Sequence, residues 1–192
     1  SLLRAARAEG VDVRLRFVPS GVPDAALLRE ARCDLLVTPF PPEGPDIFQV
    51  RLFRDRLACF FDASQRKPPA TLKAFRACPF VEVRFPENKT SLISLSSLSD
   101  SELPEPRVSV SNFAAVPAFI RGTDMIATEL RLMALGPLKG LDVAPLPFKT
   151  AALPMYLAWH RRDHTDPAHA WLRDRIRAAG RAAVDEAVEK IP

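Results

Sequence analysis

The stretch VDVRLRFVPSGVPDAALLREARCDLLVTP, residues 11–39, decides the fold class of this chain. Residues 11–17 alternate apolar and charged side chains, which is the period-two pattern of a strand with one buried face. A turn rich in proline follows, residues 24–32 carry apolar side chains at helical spacing, and residues 35–37 form a short apolar run. A strand, a helix and a second strand in so short a span predict a parallel sheet covered on both faces, and therefore an α/β fold.

Strands and helices continue to alternate on both sides of this stretch. Residues 1–10 have the composition of the second half of a helix, and Asp166-Pro167 begins a long amphipathic helix with a capping residue followed by proline. The other predicted helices are 71–78 with Thr71 as the cap, 91–98, 112–121 and 129–135, and the other predicted strands are 80–85, 108–110, 125–128, 141–146 and 155–159.

Two long connections divide the chain into lobes. Residues 48–61 are predicted to be two extended pieces around Arg54-Asp55-Arg56, long enough to run from one lobe into another, and the chain is expected to return near Pro147. The predicted lobes are lobe I, residues 1–62 with 147–192, and lobe II, residues 63–146.

Composition excludes several classes of protein. The chain has 192 residues, 47% of them hydrophobic and 26% charged, with a formal net charge of +4, which is typical of a globular protein and excludes disordered and fibrous chains. No apolar run is long enough to span a membrane. The chain begins at Ser1 without methionine or the residue order of a secretory signal, so we expect a fragment of a longer cytoplasmic protein.

The three cysteines and the arginine-rich end have ordinary explanations. Cys33, Cys59 and Cys78 are odd in number, far apart and outside any C-x-x-C pair, which favours reduced thiols in the cytosol. Residues 161–181 are rich in arginine but interrupted by aspartates, which favours a solvated helix face over a DNA-binding groove.

Motifs for enzyme chemistry are missing. None of the seven glycines falls in the spacing of a phosphate-binding loop or a hydrolase nucleophile elbow, and H-E-x-x-H is absent. All three histidines lie within residues 160–169, which suggests a metal site, but Asp166-Pro167 places the last on a new helix. We expect capping and salt-bridge roles for this peptide, no metal, no cofactor and no catalytic residue.

The positive candidates for binding are the starts of helices. Ser20-Gly21, Lys89-Thr90-Ser91 and Ser111-Asn112 place small polar groups where unpaired backbone N–H groups favour an anion. Plain helix capping explains each of them better when it is taken alone, and three such starts in one α/β chain carry more weight together.

Residues at the end of a predicted strand supply apolar surface. Thr38, Pro39 and Phe40 lie at a carboxyl end, where ligands bind in open α/β sheets. Phe113 and Phe148 are either flat walls of a pocket or ordinary core residues.

Five stretches, taken in order, resemble one known family. They are VDVRL at 11–15, ARCDLLVT at 31–38, RLFRDRLACF at 51–60, VSNFAAVPAFIRGTDMIAT at 110–128 and WHRRDHTDPAHAWLR at 159–173. Together they resemble the effector-binding region of LysR-type transcriptional regulators, and the last is similar to a signature of the subgroup that answers aromatic inducers.

The resemblance implies a fold and a function. The fold is α/β, with two Rossmann-like lobes whose mixed, mainly parallel sheets are joined by two crossover strands, as in type 2 periplasmic binding proteins. A small aromatic or carboxylate-bearing effector is expected between the lobes, where it shifts the conformation of a DNA-bound oligomer, a homodimer or homotetramer. A winged helix-turn-helix, the first strand and part of the first helix are expected upstream of Ser1.

Carried over position by position, the resemblance also implies a set of effector-binding residues. A carboxylate or phenolate is expected at helix starts and Lys89. Some relatives that answer aromatic compounds have histidine at the position of Asn112, so the resemblance does not imply the same effector. The implied residues are Ser20, Gly21, Thr38, Phe40, Asn88, Lys89, Thr90, Asn112, Phe113, Gly122, Thr123 and Phe148.

Two other functions share this fold. A solute-binding protein of a transporter would carry an export signal upstream, and an export signal and an upstream helix-turn-helix are mutually exclusive. The compartment of such a protein would also permit disulfides. An enzyme on the same scaffold would need a nucleophile and a base within hydrogen-bond reach.

Overall fold

A computed structural model describes residues 2–18, 23–84 and 105–191. Two compact units divide the chain: unit 1 comprises Ser1–Phe53 and Pro154–Ala183, and unit 2 comprises Arg54–Leu153 and Val184–Pro192. The predicted boundaries between lobe I and lobe II fall between residues 62 and 63 and between residues 146 and 147. Both boundaries lie inside unit 2. The division into these two lobes stays a prediction. Within the described ranges, no helix combines the length and apolar character needed to cross a membrane.

Among its described residues, unit 1 contains a three-stranded sheet and three α-helices. Asp24 caps α2, because its Oδ1 accepts a hydrogen bond from the backbone N–H of Ala26 at 3.1 Å, and Leu28 on the same helix is fully buried. The elements are α1 (Leu2–Ala8), α2 (Ala25–Arg29), β1 (Leu36–Thr38), β2 (Ile47–Asp55), β8 (Leu153–His160) and the start of α5 (Pro167–Lys190). The sheet order is β1-β8-β2.

The predicted strand at residues 11–17 is wrong, although the alternation is real. Residues 11–18 form no strand, and Phe17 is 86% exposed. A strand needs a neighbour to pair its backbone N–H and C=O groups, and among the described residues none pairs with this segment. The same stretch also predicts a parallel sheet, and this prediction is wrong for β1. Strand β1 pairs antiparallel with β8, and Thr38 lies opposite Tyr156.

Unit 2 contains a mixed five-stranded sheet, as the predicted fold class requires. Its strands are β3 (Leu57–Phe61), β4 (Phe80–Val83), β5 (Pro106–Val110), β6 (Ile126–Leu130) and β7 (Asp142–Ala144), in the order β5-β4-β6-β3-β7. Strand β4 pairs parallel with β5 and β6, whereas β3 pairs antiparallel with β6 and β7. Strands β4 to β7 therefore share one direction, and we call the side where they end the carboxyl edge.

Apolar clusters cover both faces of this sheet. Helix α4 (Val116–Ile120) packs with Phe60 and Val81 on the first, the α4 face. Helix α3 (Leu72–Arg76) packs through Phe75 on the other, the α3 face, which also buries Cys59 and Cys78 as free thiols. Burial raises the pKa of the Cys59 thiol to about 12, so it stays protonated.

The boundaries of several predicted elements need correction. The helix predicted at 129–135 starts too early, because Glu129 belongs to β6 and only Arg131–Leu135 turn, as a 3-10 helix. The helix predicted at 112–121 consists of a 3-10 turn, Phe113–Ala115, followed by α4. The helix at 91–98 lies outside the described residues.

Candidate functional site

The end of β1 shapes the surface of unit 1. Thr38 is 4% exposed, and its Oγ1 accepts a hydrogen bond from the backbone N–H of Phe40 at 3.1 Å. This bond fixes the turn after the strand and leaves the Phe40 ring 43% exposed. Thr38 thus positions the turn and Phe40 supplies apolar surface.

An open cavity of about 390 Å³ lies at this turn. Phe40 and Tyr156 contribute aromatic surface, and Gln49 and Glu43 contribute polar groups. The cavity is lined by Pro39, Phe40, Pro41, Glu43, Gln49, Pro154 and Tyr156. Flat apolar walls with a few polar groups suit a small aromatic ligand. Sequence reasoning found Phe40 but missed Tyr156, which the pairing of β8 with β1 brings opposite Thr38.

Asn112 and Phe113 lie at the carboxyl edge of unit 2, just after β5. The side-chain Oδ1 of Asn112 accepts a hydrogen bond from the backbone N–H of Ala115 at 3.1 Å, so Asn112 caps the 3-10 turn. Phe113 is partly buried against the cluster of the α4 face. Both predicted residues therefore lie at the edge where ligands of α/β sheets bind.

Gly122 and Thr123 lie elsewhere. They come just before β6, so they are at the opposite edge of the sheet from Asn112. The backbone N–H of Gly122 donates to Asp62 Oδ2 at 2.7 Å, and this bond, with those from Ser64, holds the pKa of Asp62 below its usual range. The Thr123 hydroxyl donates to the Phe119 carbonyl at 2.6 Å. The structure does not bring this pair together with Asn112.

Phe148 packs on the α3 face. Its ring lies 5.1 Å from that of Phe75 between centroids, edge to face. Because Phe113 belongs to the α4 face, the two phenylalanines lie on opposite sides of one sheet and do not form two walls of one pocket. Ser20, Gly21, Asn88, Lys89 and Thr90 lie outside the described residues, and their effector role stays a prediction.

The histidine-rich peptide is occupied by contacts within unit 1. His160 Nε2 lies 3.3 Å from Asp46 Oδ2, and the ring of His164 stacks parallel to that of Trp159. Asp166 caps α5 through its bond with the backbone N–H of His169 at 2.7 Å. In the described parts of the chain, no group of three His, Cys, Asp or Glu residues is placed to hold a metal ion.

Arg173 is the centre of this peptide's contacts. It is 8% exposed, its guanidinium lies 4.8 Å above the Trp159 ring, and it donates hydrogen bonds to the carbonyls of Asp163 and His164. An arginine held by a ring and two carbonyls ties α5 to the peptide before it.

Sequence reasoning missed a buried acid in unit 2. Glu129 is 3% exposed in β6, and its Oε2 has no hydrogen-bond partner. Burial, with a smaller contribution from Glu82, raises the pKa of Glu129 to about 8. Glu82 itself pairs with Arg84 at 2.9 Å. The sequence signal for a buried acid was a single acidic residue within an apolar run. The pattern of residues 129–135 instead predicts a helix that starts at Glu129.

A mixed five-stranded sheet with helices on both faces, a second three-stranded sheet and an open cavity at a strand end define an α/β class of domain. A solved member with a similar fold is the regulatory domain of MexT, a transcriptional activator of Pseudomonas aeruginosa. It has a TM-score of 0.67 and 23% identity, over 92% of this chain and 88% of that one.

The chain belongs to the LysR substrate binding domain family, whose model matches residues 1–181. It is 31% identical over 166 residues to the transcriptional activator NagR of a Ralstonia species, covering 79% of this chain and 53% of NagR. It is 30% identical over 159 residues to nodulation protein D 3 of Rhizobium leguminosarum bv. phaseoli, covering 77% and 51%. The chain thus spans about half the length of the curated relatives it matches.

Proposed function

We propose that this chain is the effector-sensing region of a LysR-type transcriptional regulator and that it binds a small aromatic ligand. The observation that carries the proposal is the cavity of about 390 Å³ in unit 1, which the predicted residue Phe40 lines. The family supports the sensing role, and relatives named as transcriptional regulators favour it over a transporter component or an enzyme.

The lining of the cavity sets the chemistry of the ligand. The ligand ring packs on Phe40 and Tyr156, which remove its apolar surface from water. Gln49 and the Tyr156 hydroxyl meet a polar substituent, whereas the carboxylate of Glu43 repels an anion placed beside it. A carboxylate on the ligand therefore points away from Glu43.

Regulation follows from differential affinity. A ligand that binds one conformation of the full protein more tightly shifts the population towards it by the ratio of its two affinities. In the full protein, an upstream winged helix-turn-helix contacts promoter DNA, and copies of the chain assemble as a homodimer or homotetramer in the cytoplasm.

The test is a thermal-shift screen of the 192-residue chain against aromatic carboxylates, phenols and nitroaromatics. A ligand specific to the folded state stabilises it by about 2.7 kcal/mol at one hundred times its Kd. We expect a saturable rise in Tm that Phe40→Ala weakens. Phe17→Ala is the matched control, because Phe17 is exposed in the same unit and lines no part of the cavity. No rise with any compound, or equal weakening by both variants, would contradict the proposal.

A further inference from the structure

A second open cavity lies entirely within unit 2, at the free edge of its sheet. Strand β7 is the last in the order β5-β4-β6-β3-β7, so among the described residues it pairs with β3 alone. The cavity measures about 510 Å³, a volume typical of small-molecule sites. It shares no lining residue with the cavity at Phe40, which lies in unit 1. We call it the edge cavity.

Most of the apolar lining of the edge cavity is aliphatic. Leu141 and Ile191 are buried, and Leu135 and Val143 are partly buried. Phe61 supplies the one aromatic ring of the lining. An aliphatic group placed against these side chains leaves water, which favours binding in proportion to the apolar area that it buries.

Asp142, the first residue of β7, supplies a carboxylate whose direction is fixed. Its Oδ2 accepts a hydrogen bond from the backbone N–H of Ala63 at 2.7 Å, and its Oδ1 accepts none within the part of the chain that the structure describes. Glu186, near the end of α5, is a second carboxylate at the same cavity. Ionised carboxylates only accept hydrogen bonds, so these two residues favour a ligand with an ammonium group.

A positively charged turn precedes β7. Lys139 lines the edge cavity, and its ammonium group makes no ion pair with any described residue. The Arg121 guanidinium donates to the Lys139 carbonyl at 3.0 Å, which holds the turn and brings a second positive charge to it. Gly140 has a φ of +85°, a left-handed conformation that favours glycine, so the chain turns sharply just before Asp142. A cation therefore lies close in the chain to the oriented carboxylate.

We propose that the edge cavity binds an aliphatic α-amino acid, a second ligand in addition to the aromatic effector proposed above. The ammonium group donates to Asp142 Oδ1, and the carboxylate accepts from the Lys139 ammonium. The aliphatic side chain packs on Leu141 and Ile191. An amine without a carboxylate leaves Lys139 unpaired, and a fatty acid without an ammonium group leaves Asp142 unpaired.

The experiment measures the Kd of three ligands for the 192-residue chain from Tm shifts at several ligand concentrations. L-Leucine carries both charges, 3-methylbutylamine is leucine without its carboxylate, and 4-methylpentanoate is leucine without its ammonium group. The series is aliphatic because the cavity at Phe40 suits aromatic rings. The wild type is expected to bind leucine about tenfold more tightly than either analogue, the value of one charge-assisted hydrogen bond.

Two variants test the two charged contacts separately. Asp142→Asn keeps an oxygen for the Ala63 N–H and removes the charge, so leucine should lose its advantage over 4-methylpentanoate and keep its advantage over the amine. Lys139→Met keeps the length of the side chain and should do the reverse, so that leucine and 3-methylbutylamine bind equally. A general loss of structure would instead weaken the binding of all three ligands together.

Matched controls remove the same charges elsewhere in unit 2. Lys73→Met and Asp124→Asn change exposed residues that line neither cavity, and both preferences for leucine should be unchanged in them. Since the three ligands are first compared on the wild type, a variant that does not fold leaves the proposal testable.

Four results would overturn the proposal. They are no rise in the wild-type Tm with leucine, an analogue that binds the wild type as tightly as leucine, a preference that survives in the variant lacking its partner, and a preference lost in a control. The screen of aromatic compounds tests the cavity in unit 1, so either proposal can fail while the other stands.

Discussion

The two units are stabilised in different ways. Unit 2 buries apolar clusters on both faces of a five-stranded sheet, with Phe60 and Phe75 fully buried on opposite sides. Unit 1 has a three-stranded sheet, a smaller cluster around Leu28, and a network in which Arg173 joins aromatic rings and backbone carbonyls. Apolar burial dominates in unit 2, and hydrogen bonds to a buried cation contribute more in unit 1.

The largest expected effect tests the apolar core of unit 2. Phe60→Ala is expected to lower the free energy of unfolding by about 3–5 kcal/mol, because it removes a fully buried ring from the α4 face and leaves a cavity. Urea denaturation followed by circular dichroism measures this loss. Phe119→Ala, at a ring 38% exposed on α4, is the control and should change stability by about 0.5 kcal/mol or less. Equal losses in the two variants would contradict the account of the core.

A pH titration tests Glu129, a buried acid of unit 2. The folded-state pKa of Glu129 is raised to about 8, so its contribution to stability is fully present below its ordinary pKa and is lost as the pH rises through 8. Between pH 5 and 8 we expect the free energy of unfolding to fall by about 1 kcal/mol per pH unit from this group. Glu129→Gln should flatten the profile in that window. A wild-type profile that matches that of the variant would mean that Glu129 is ionised in the fold.

The next effect tests the polar network of unit 1. Arg173→Ala is expected to lower the free energy of unfolding by about 2 kcal/mol, because two carbonyls lose their donor and Trp159 loses its cation. Both tryptophans, Trp159 and Trp171, lie in unit 1, so their fluorescence follows its unfolding. Arg177→Ala, at an exposed arginine of the same helix, should have almost no effect. A loss in the control as large as that in Arg173→Ala would argue against the network.

The smallest expected effect concerns Asp62, a half-buried residue of unit 2. Asp62 accepts hydrogen bonds from Gly122 and Ser64, which lower its pKa, so its stabilising contribution is present above its ordinary pKa and lost as the pH falls. Asp62→Ala should lower the Tm at pH 7 by less than Phe60→Ala or Arg173→Ala does, and it should have less effect at pH 3. Asp185→Ala, at an exposed site on α5, should leave the Tm unchanged at both pH values. An equal Tm in Asp62→Ala and the wild type at pH 7 would show that Asp62 does not stabilise the fold.

Unit 2 was the more predictable unit because its strands have partners. The apolar runs that contain Phe60, Val81 and Ile126 each lie between neighbours in the sheet, so pattern and structure agree. Residues 11–17 carry as clear a pattern, yet they form no strand, because alternation shows that one face is suited to burial and does not supply the neighbour that a strand requires.

The candidate site was predicted in part for a similar reason. Phe40 and Asn112 follow strand ends directly, so local sequence places them. Tyr156 reaches the cavity only through the pairing of β8 with β1, a contact between residues more than one hundred positions apart. Gly122 follows a helix that begins at the carboxyl edge and ends at the other edge, as the helix of a strand–helix–strand unit must, so it lies away from Asn112.

The central claim is that this chain binds a small aromatic ligand at the cavity lined by Phe40 and Tyr156. Calorimetric titration with the tightest compound of the screen tests it most directly. We predict one binding site and a Kd at least about tenfold weaker in both Phe40→Ala and Tyr156→Ala. Tyr156→Phe, which keeps the ring and removes the hydroxyl, separates ring packing from hydrogen bonding and should weaken binding less than Tyr156→Ala. Wild-type affinity in both alanine variants would contradict the claim.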